Sequence, residues 1–239
     1  MSRIGRPSGA DPGSVSWPFV SGTIPRGSYP AMGGATREFY LKVVREALGV
    51  LEGAAADHLV IGSMAVRALL GKPLSEAEDV DVLIRVEDAE RLLDAFSTEG
   101  YTTYRRDERW IYKAARPNVT VDLIFRAGES IRLDDDHLAR STTAEIDGIS
   151  LPVPAPEDLV VMKAVFDAED RQGAWYDALS ILRRFPVDWD YLAERALAHG
   201  PRRLLGLLLY ASDAGIDVPD RAVSILVPEA TATKPDEAS

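Results

Sequence analysis

Three aspartates and a Gly-Ser pair carry the chemistry of this sequence. The stretch EDVDVLI, residues 78–84, holds Asp79 and Asp81 at i and i+2. On a β-strand that spacing puts both carboxylates on one face. Two like charges side by side repel unless water or a cation stands between them. Carboxylate oxygens are hard ligands and suit Mg²⁺ or Mn²⁺. A second apolar run, NVTVDLIF, holds Asp122, which shares a face with Thr120 and Ile124. If the two strands are neighbours, three carboxylates meet. Such a set can hold two metal ions ~3.5–4 Å apart, the arrangement for in-line phosphoryl or nucleotidyl transfer. A lone Asp-x-Asp also has a plain reading, an exposed sheet edge.

Upstream, HLVIGSMAV sets Gly62 and Ser63 between a buried strand and a helix. Glycine lets a ligand approach the backbone closely, and a helix N-terminus offers free N–H groups to phosphate. Taken alone, Ser63 reads better as an N-cap.

The elements that must position these residues follow from periodicity. Residues 35–53 predict an amphipathic helix, 57–62 a short buried strand, 63–71 a short helix and 78–85 the Asp-x-Asp strand. Residues 87–100 predict a helix closed by Gly100. YTTYRR, RWIYKAA and VTVDLIF read as successive strands, and two short strands follow around TAEIDG and ISLPVPA. From Pro156 onward only helical patterns occur. The fold class is therefore α/β (α+β): a mixed sheet flanked by helices, then an all-helical C-terminal domain. The expected organisation is a disordered arm over 1–35, a catalytic domain over 36–154, a helical domain over 155–218 and a disordered tail over 219–239.

Composition narrows the function classes. The 239 residues include no cysteine, which removes disulfide, thiolate and zinc–sulfur chemistry. The net charge of -11 is carried by the middle of the chain. It disfavours non-specific binding along a nucleic-acid backbone and suits a site neutralised by cations. No run approaches the roughly 20 apolar residues of a membrane span. The expectation is a soluble, cytoplasmic protein without a membrane partner.

The order strand, Gly-Ser, short helix, Asp-x-Asp strand, later single-Asp strand resembles the polymerase-β-type nucleotidyltransferase superfamily. Its small bacterial branch, with AbiEii/MenT-like toxin nucleotidyltransferases, resembles the wider pattern from about His58 to Leu182. There a strand ending in Pro leads to Glu157, Asp158, Leu159 and Lys163, then Arg171 and Asp177. This chain departs from the branch in having Gly-Ser instead of Gly-Gly, Glu76 and Glu78 crowding the Asp-x-Asp, and Gly173-Ala174 ahead of the last Asp. The resemblance implies a metal-dependent transfer of a nucleoside monophosphate from an NTP to an acceptor hydroxyl. The acceptor would be a tRNA end, a protein or a small molecule, and a toxin would have an antitoxin partner. Asp79 and Asp81 would bind both metals, and Asp122 would complete the second site and help deprotonate the acceptor. Gly62 and Ser63 would hold the β- and γ-phosphates, with Lys163 and Arg171 as further phosphate contacts.

Several residues keep plainer readings. Lys163 is a triphosphate ligand or a snorkelling surface lysine, Arg171 a phosphate contact or a helix-end surface residue. Asp177 is structural, with Arg171 as its expected partner. Arg105, Arg106, Arg109 and Trp110 read as a solvated hairpin turn, and Asp134, Asp135 and Asp136 as a loop and helix N-cap. His58, His137 and His199 show no ligand spacing. Two other functions compete: a non-catalytic nucleotide- or partner-binding member of the same fold, and a nucleotide-sugar glycosyltransferase. The second does not account for Gly62-Ser63 or Asp122.

Overall fold

Alternating apolar residues build a five-stranded sheet. The computed structural model describes residues 34–74, 79–117, 119–166 and 173–232; most of the expected arm, Glu76, Glu78 and Arg171 lie outside them. The strands are β1 (His58–Val60), β2 (Val80–Ile84), β3 (Thr102–Asp107), β4 (Ile111–Arg116) and β5 (Val119–Ile124). Their order is β1-β2-β5-β4-β3. β2 and β5 run parallel, and every other pair is antiparallel. Parallel neighbours need a long crossover. Here α3 (Ala89–Thr98) and the β3–β4 hairpin supply it.

One face of the sheet is apolar across its central strands. Val80, Val82, Ala114, Val121 and Leu123 are fully buried there. The amphipathic helix α1 (Gly34–Gly53) packs over β5, and α3 packs over β3 and β4. Tyr112 shows which side α3 covers, since its hydroxyl donates to Glu90 Oε1 at 3.0 Å. The basic cluster is a hairpin turn as expected, with Arg109 on Asp107 at 2.6 Å and Arg105 on Glu90 at 2.5 Å.

Helix α2 (Gly62–Leu69) links β1 to β2. A separate ribbon of β6 (Thr142–Ile146) and β7 (Ile149–Val153) packs beside α2 and β1. Its two-residue turn is Asp147-Gly148, both at positive φ, the hairpin geometry glycine favours. The triple aspartate begins α4 (Asp135–Arg140), with Asp134 as N-cap in a capping box with His137.

The helical half is α5 (Pro156–Val165), α6 (Ala174–Arg184), α7 (Trp189–His199), α8 (Pro201–Asp213) and α9 (Asp220–Thr231). Helix α9 corrects the expected tail from 219. Ala222, Leu226 and Ala230, four residues apart, are buried, and α9 packs on α8 and α7. Helix α5 is the central strut, buried at every residue from Glu157 to Ala164 and packed on α6, α7, α8 and α2.

A buried polar network ties α5 to its neighbours. Asp158 accepts from the Tyr191 hydroxyl and from Arg195 Nε, both at 2.9 Å. Arg195 also donates to Asp134 at 2.8 Å, and its other nitrogen lies 2.6 Å from His137 Nε2. Glu157 accepts from the Asp188 amide, which begins α7. His137, which shows no ligand spacing in the sequence, is 1% exposed in this network.

Burial holds the His137 and His199 imidazoles below the usual histidine pKa. Just below pH 6.5 the unfolded chain therefore binds protons that the folded chain refuses. Stability is lost as pH falls through this window, by roughly 1.4 kcal/mol per pH unit for each proton. Burial raises Asp158, whose protonation acts in the opposite sense toward the acid end. Urea denaturation from pH 7 to pH 5 is expected to give a falling midpoint, with a shallower fall in His137→Gln.

Candidate active site

The parallel pairing decides where the aspartates meet. Asp81 of β2 and Asp122 of β5 are direct Cα partners, on the face away from α1 and α3. Further along that face stand Leu83 and Ile124, both buried. Asp79 lies just before β2 and is exposed, Asp81 is half-buried, and Asp122 is 7% exposed. The plain reading of Asp-x-Asp as an exposed edge does not hold, because β2 has a neighbour on each side.

A cation that sequence reasoning missed stands beside them. Lys113 of β4 is the register partner of Asp122, and its Nζ lies 2.6 Å from both carboxylate oxygens. Among the described residues, no three His, Cys, Asp or Glu side chains converge on a common metal position. Asp122 turns both oxygens toward Lys113 instead. The available signal was alternation: in IYKAA, Lys113 falls between the buried Tyr112 and Ala114, so it faces away from α3.

Gly62 explains how Asp81 is seated. Its φ is +70°, and a Cβ there would come 2.1 Å from Asp81 Oδ2. The amide of Ile61 donates to the Asp81 carbonyl at 2.9 Å, which locks the turn to β2. The Asp81 carboxylate thus rests against the backbone at the start of α2. Helix α2 is capped at Ile61, with no side-chain cap, so Ser63 is not an N-cap but an exposed residue in the first turn. The first-turn amides stand at a helix end whose dipole favours anions.

Lys163 shares a small cleft with Gly62, lined also by Ile61, Met162 and Ala174. It is 7% exposed, which removes the snorkelling reading. Its Nζ bonds Asp177 Oδ2 at 2.7 Å, which makes Lys163 a counter-ion of Asp177 among the described residues. Glu157 and Asp158 belong to the interior network. A wider cleft between α1 and α3, with Tyr101 and Arg116 in its wall, lies on the other side of the sheet from the carboxylates.

Residues 38–214 match the family model described as uncharacterised nucleotidyltransferase. The chain belongs to this nucleotidyltransferase family. No curated protein matches the sequence at a significant level. Among solved structures, an antigenic nucleotidyltransferase-like protein from Paracoccidioides brasiliensis is 17% identical, over 79% of this chain and 93% of that one, with a TM-score of 0.48. The antibiotic-resistance factor ANT(2'')-Ia is 12% identical, over 80% and 91%, at 0.47. The lincosamide adenylyltransferase LnuA is 14% identical, over 60% and 95%, at 0.45. This nucleotidyltransferase has a mixed sheet flanked by helices and a helical C-terminal part, as the sequence implied. No helix among its described residues is long and apolar enough to cross a membrane.

Nucleotidyltransferases generally use divalent metals, and the donors present here are carboxylates. Asp79 and Asp81 offer carboxylates alone, which fit a hard divalent ion. Asp122 fits as a donor type, but both its oxygens are engaged by Lys113.

Gly62→Ala is expected to abolish nucleotidyl transfer, because the methyl group would displace the Asp81 carboxylate. The positive φ adds strain, so stability should fall by about 1 kcal/mol or more. Activity and thermal melting measured on the same preparation check both effects.

Proposed function

We propose that this nucleotidyltransferase moves a nucleoside monophosphate from an NTP to an acceptor hydroxyl, with release of pyrophosphate, in a reaction that depends on Mg²⁺ or Mn²⁺. The observation that carries this reading is the register of Asp81 against Asp122, beside the Gly62 turn. Asp79 and Asp81 would hold the metal, with Asp122 as the third carboxylate of the set. Bound there, a divalent ion would neutralise charge on the transferring phosphate. Gly62 and Ser63 at the α2 N-terminus would seat the β- and γ-phosphates. Lys163, across the cleft from Gly62, would add a point charge to the triphosphate. Arg171 would be a second phosphate contact. Asp122, the register partner of Asp81, would take the acceptor's proton. In this reading catalysis is positioning and charge neutralisation.

The net charge of -11 favours a small-molecule or protein acceptor over a polyanionic tRNA. A toxin role with an antitoxin partner, and membership of the AbiEii/MenT-like branch, rest on motif order alone. A catalytic domain over 36–154 followed by a helical one from 155 remains the division we adopt. A non-catalytic binding role is the competing reading. Against it stands the seating of Asp81 on Gly62, where any Cβ would collide with its carboxylate.

Each α-labelled NTP, supplied with Mg²⁺ and with separate RNA, protein and small-molecule acceptor pools, tests the reading. Label transfer is expected to one pool, and to fall about 10²–10³-fold or more in Asp79→Ala/Asp81→Ala. Transfer that survives the double substitution would move the active site elsewhere. An absence of both transfer and metal-dependent NTP binding would leave the binding role.

A further inference from the structure

We infer that Lys113 is the resident cation of the Asp122 half of the site, so that the chain takes one divalent ion, at Asp79 and Asp81, and not two. This rests on the reading of Asp79 and Asp81 as metal ligands given above.

Three observations carry it. The first is register. Antiparallel pairing sets Lys113 directly opposite Asp122, and parallel pairing sets Asp122 directly opposite Asp81, so ammonium and carboxylates form one row across three strands. The second is geometry. Nζ is 2.6 Å from Oδ1 and 2.6 Å from Oδ2, so it sits in the fork of the carboxylate, where a bidentate metal would also sit. The third is burial. The Lys113 side chain is 18% exposed and that of Asp122 10%, so water screens neither charge well.

A divalent ion entering the fork would have to expel the ammonium or stand within a few ångströms of it. Expulsion would require the lysine to find another anion or reach solvent. Cohabitation sets +1 beside +2 in a poorly screened place. Lysine suits the role, since its ammonium is a compact point charge on a flexible stem.

The test is titration of the full-length protein with Mn²⁺, reading free ion by electron paramagnetic resonance. Wild type is expected to bind one ion per chain, and Asp81→Asn to lose it. Lys113→Met should bind two, the second at least tenfold more tightly than any second ion in wild type. Lys113→Arg should keep one. Two ions of similar affinity in wild type, or an unchanged single ion in Lys113→Met, would overturn the assignment while leaving the metal reading intact. Absence of Mn²⁺ binding in all forms would overturn both. Thermal melting guards against a folding defect. Lys113→Met should melt below wild type without metal and gain more from Mn²⁺ than wild type does. Equal gains would count against the role.

Discussion

The parallel pairing of β2 with β5 is the constraint on which the site depends. A strand's side chains alternate between faces, so a slip of one residue in β5 would turn Asp122 under α1 and α3. It would also expose Val121 and Leu123, which are now fully buried. Burying an unpaired carboxylate there costs several kcal/mol. Burying each of those apolar side chains contributes about 1.5–3 kcal/mol. Both effects select the observed register. The apolar face therefore aligns the polar one, and the chemistry needs no separate device to hold Asp81 opposite Asp122.

That alignment sets like charges side by side, and the surroundings answer it in two ways. Gly62 lets the Asp81 carboxylate lie against the start of α2, where the helix dipole is favourable to an anion. Lys113 places an ammonium in the fork of Asp122. The answers differ in kind. The first depends on a missing side chain, so almost any substitution at Gly62 destroys it. The second depends on a charge, so arginine at 113 would preserve much of it. The two halves of the row are thus unequal: Asp81 keeps an oxygen toward the α2 turn, while Asp122 is already neutralised.

Elements were legible in the sequence wherever periodicity is local. The strands around Asp81 and Asp122 and the helices from 35 to 215 lie close to their expected bounds, because alternation or 3.6-residue spacing is written into each segment. What pairs with what was not legible. Lys113 was passed over since its meaning comes from β4 lying next to β5. Asp177 holds Lys163, and that partnership depends on how α6 packs on α5. His137 looked isolated because two of its three partners, Asp158 and Arg195, lie 21 and 58 residues away. Helix α9 escaped notice for a different reason. Its buried stripe is mostly alanine, Pro228 interrupts it, and Ile225 and Val227 face outward.

The interior of the helical half also bears on the site. Lys163 stands on α5, which is buried from Glu157 to Ala164. Glu157 and Asp158 bind the first turn of that helix to α7, and Lys163 itself binds α6 through Asp177. A lysine held this way loses little freedom on meeting an anion. Its charge is also kept in place beforehand by the Asp177 carboxylate. The network around Arg195 therefore acts at a distance from chemistry. It fixes the strut that keeps one cation across the cleft from Gly62, just as the apolar sheet face keeps two carboxylates in register.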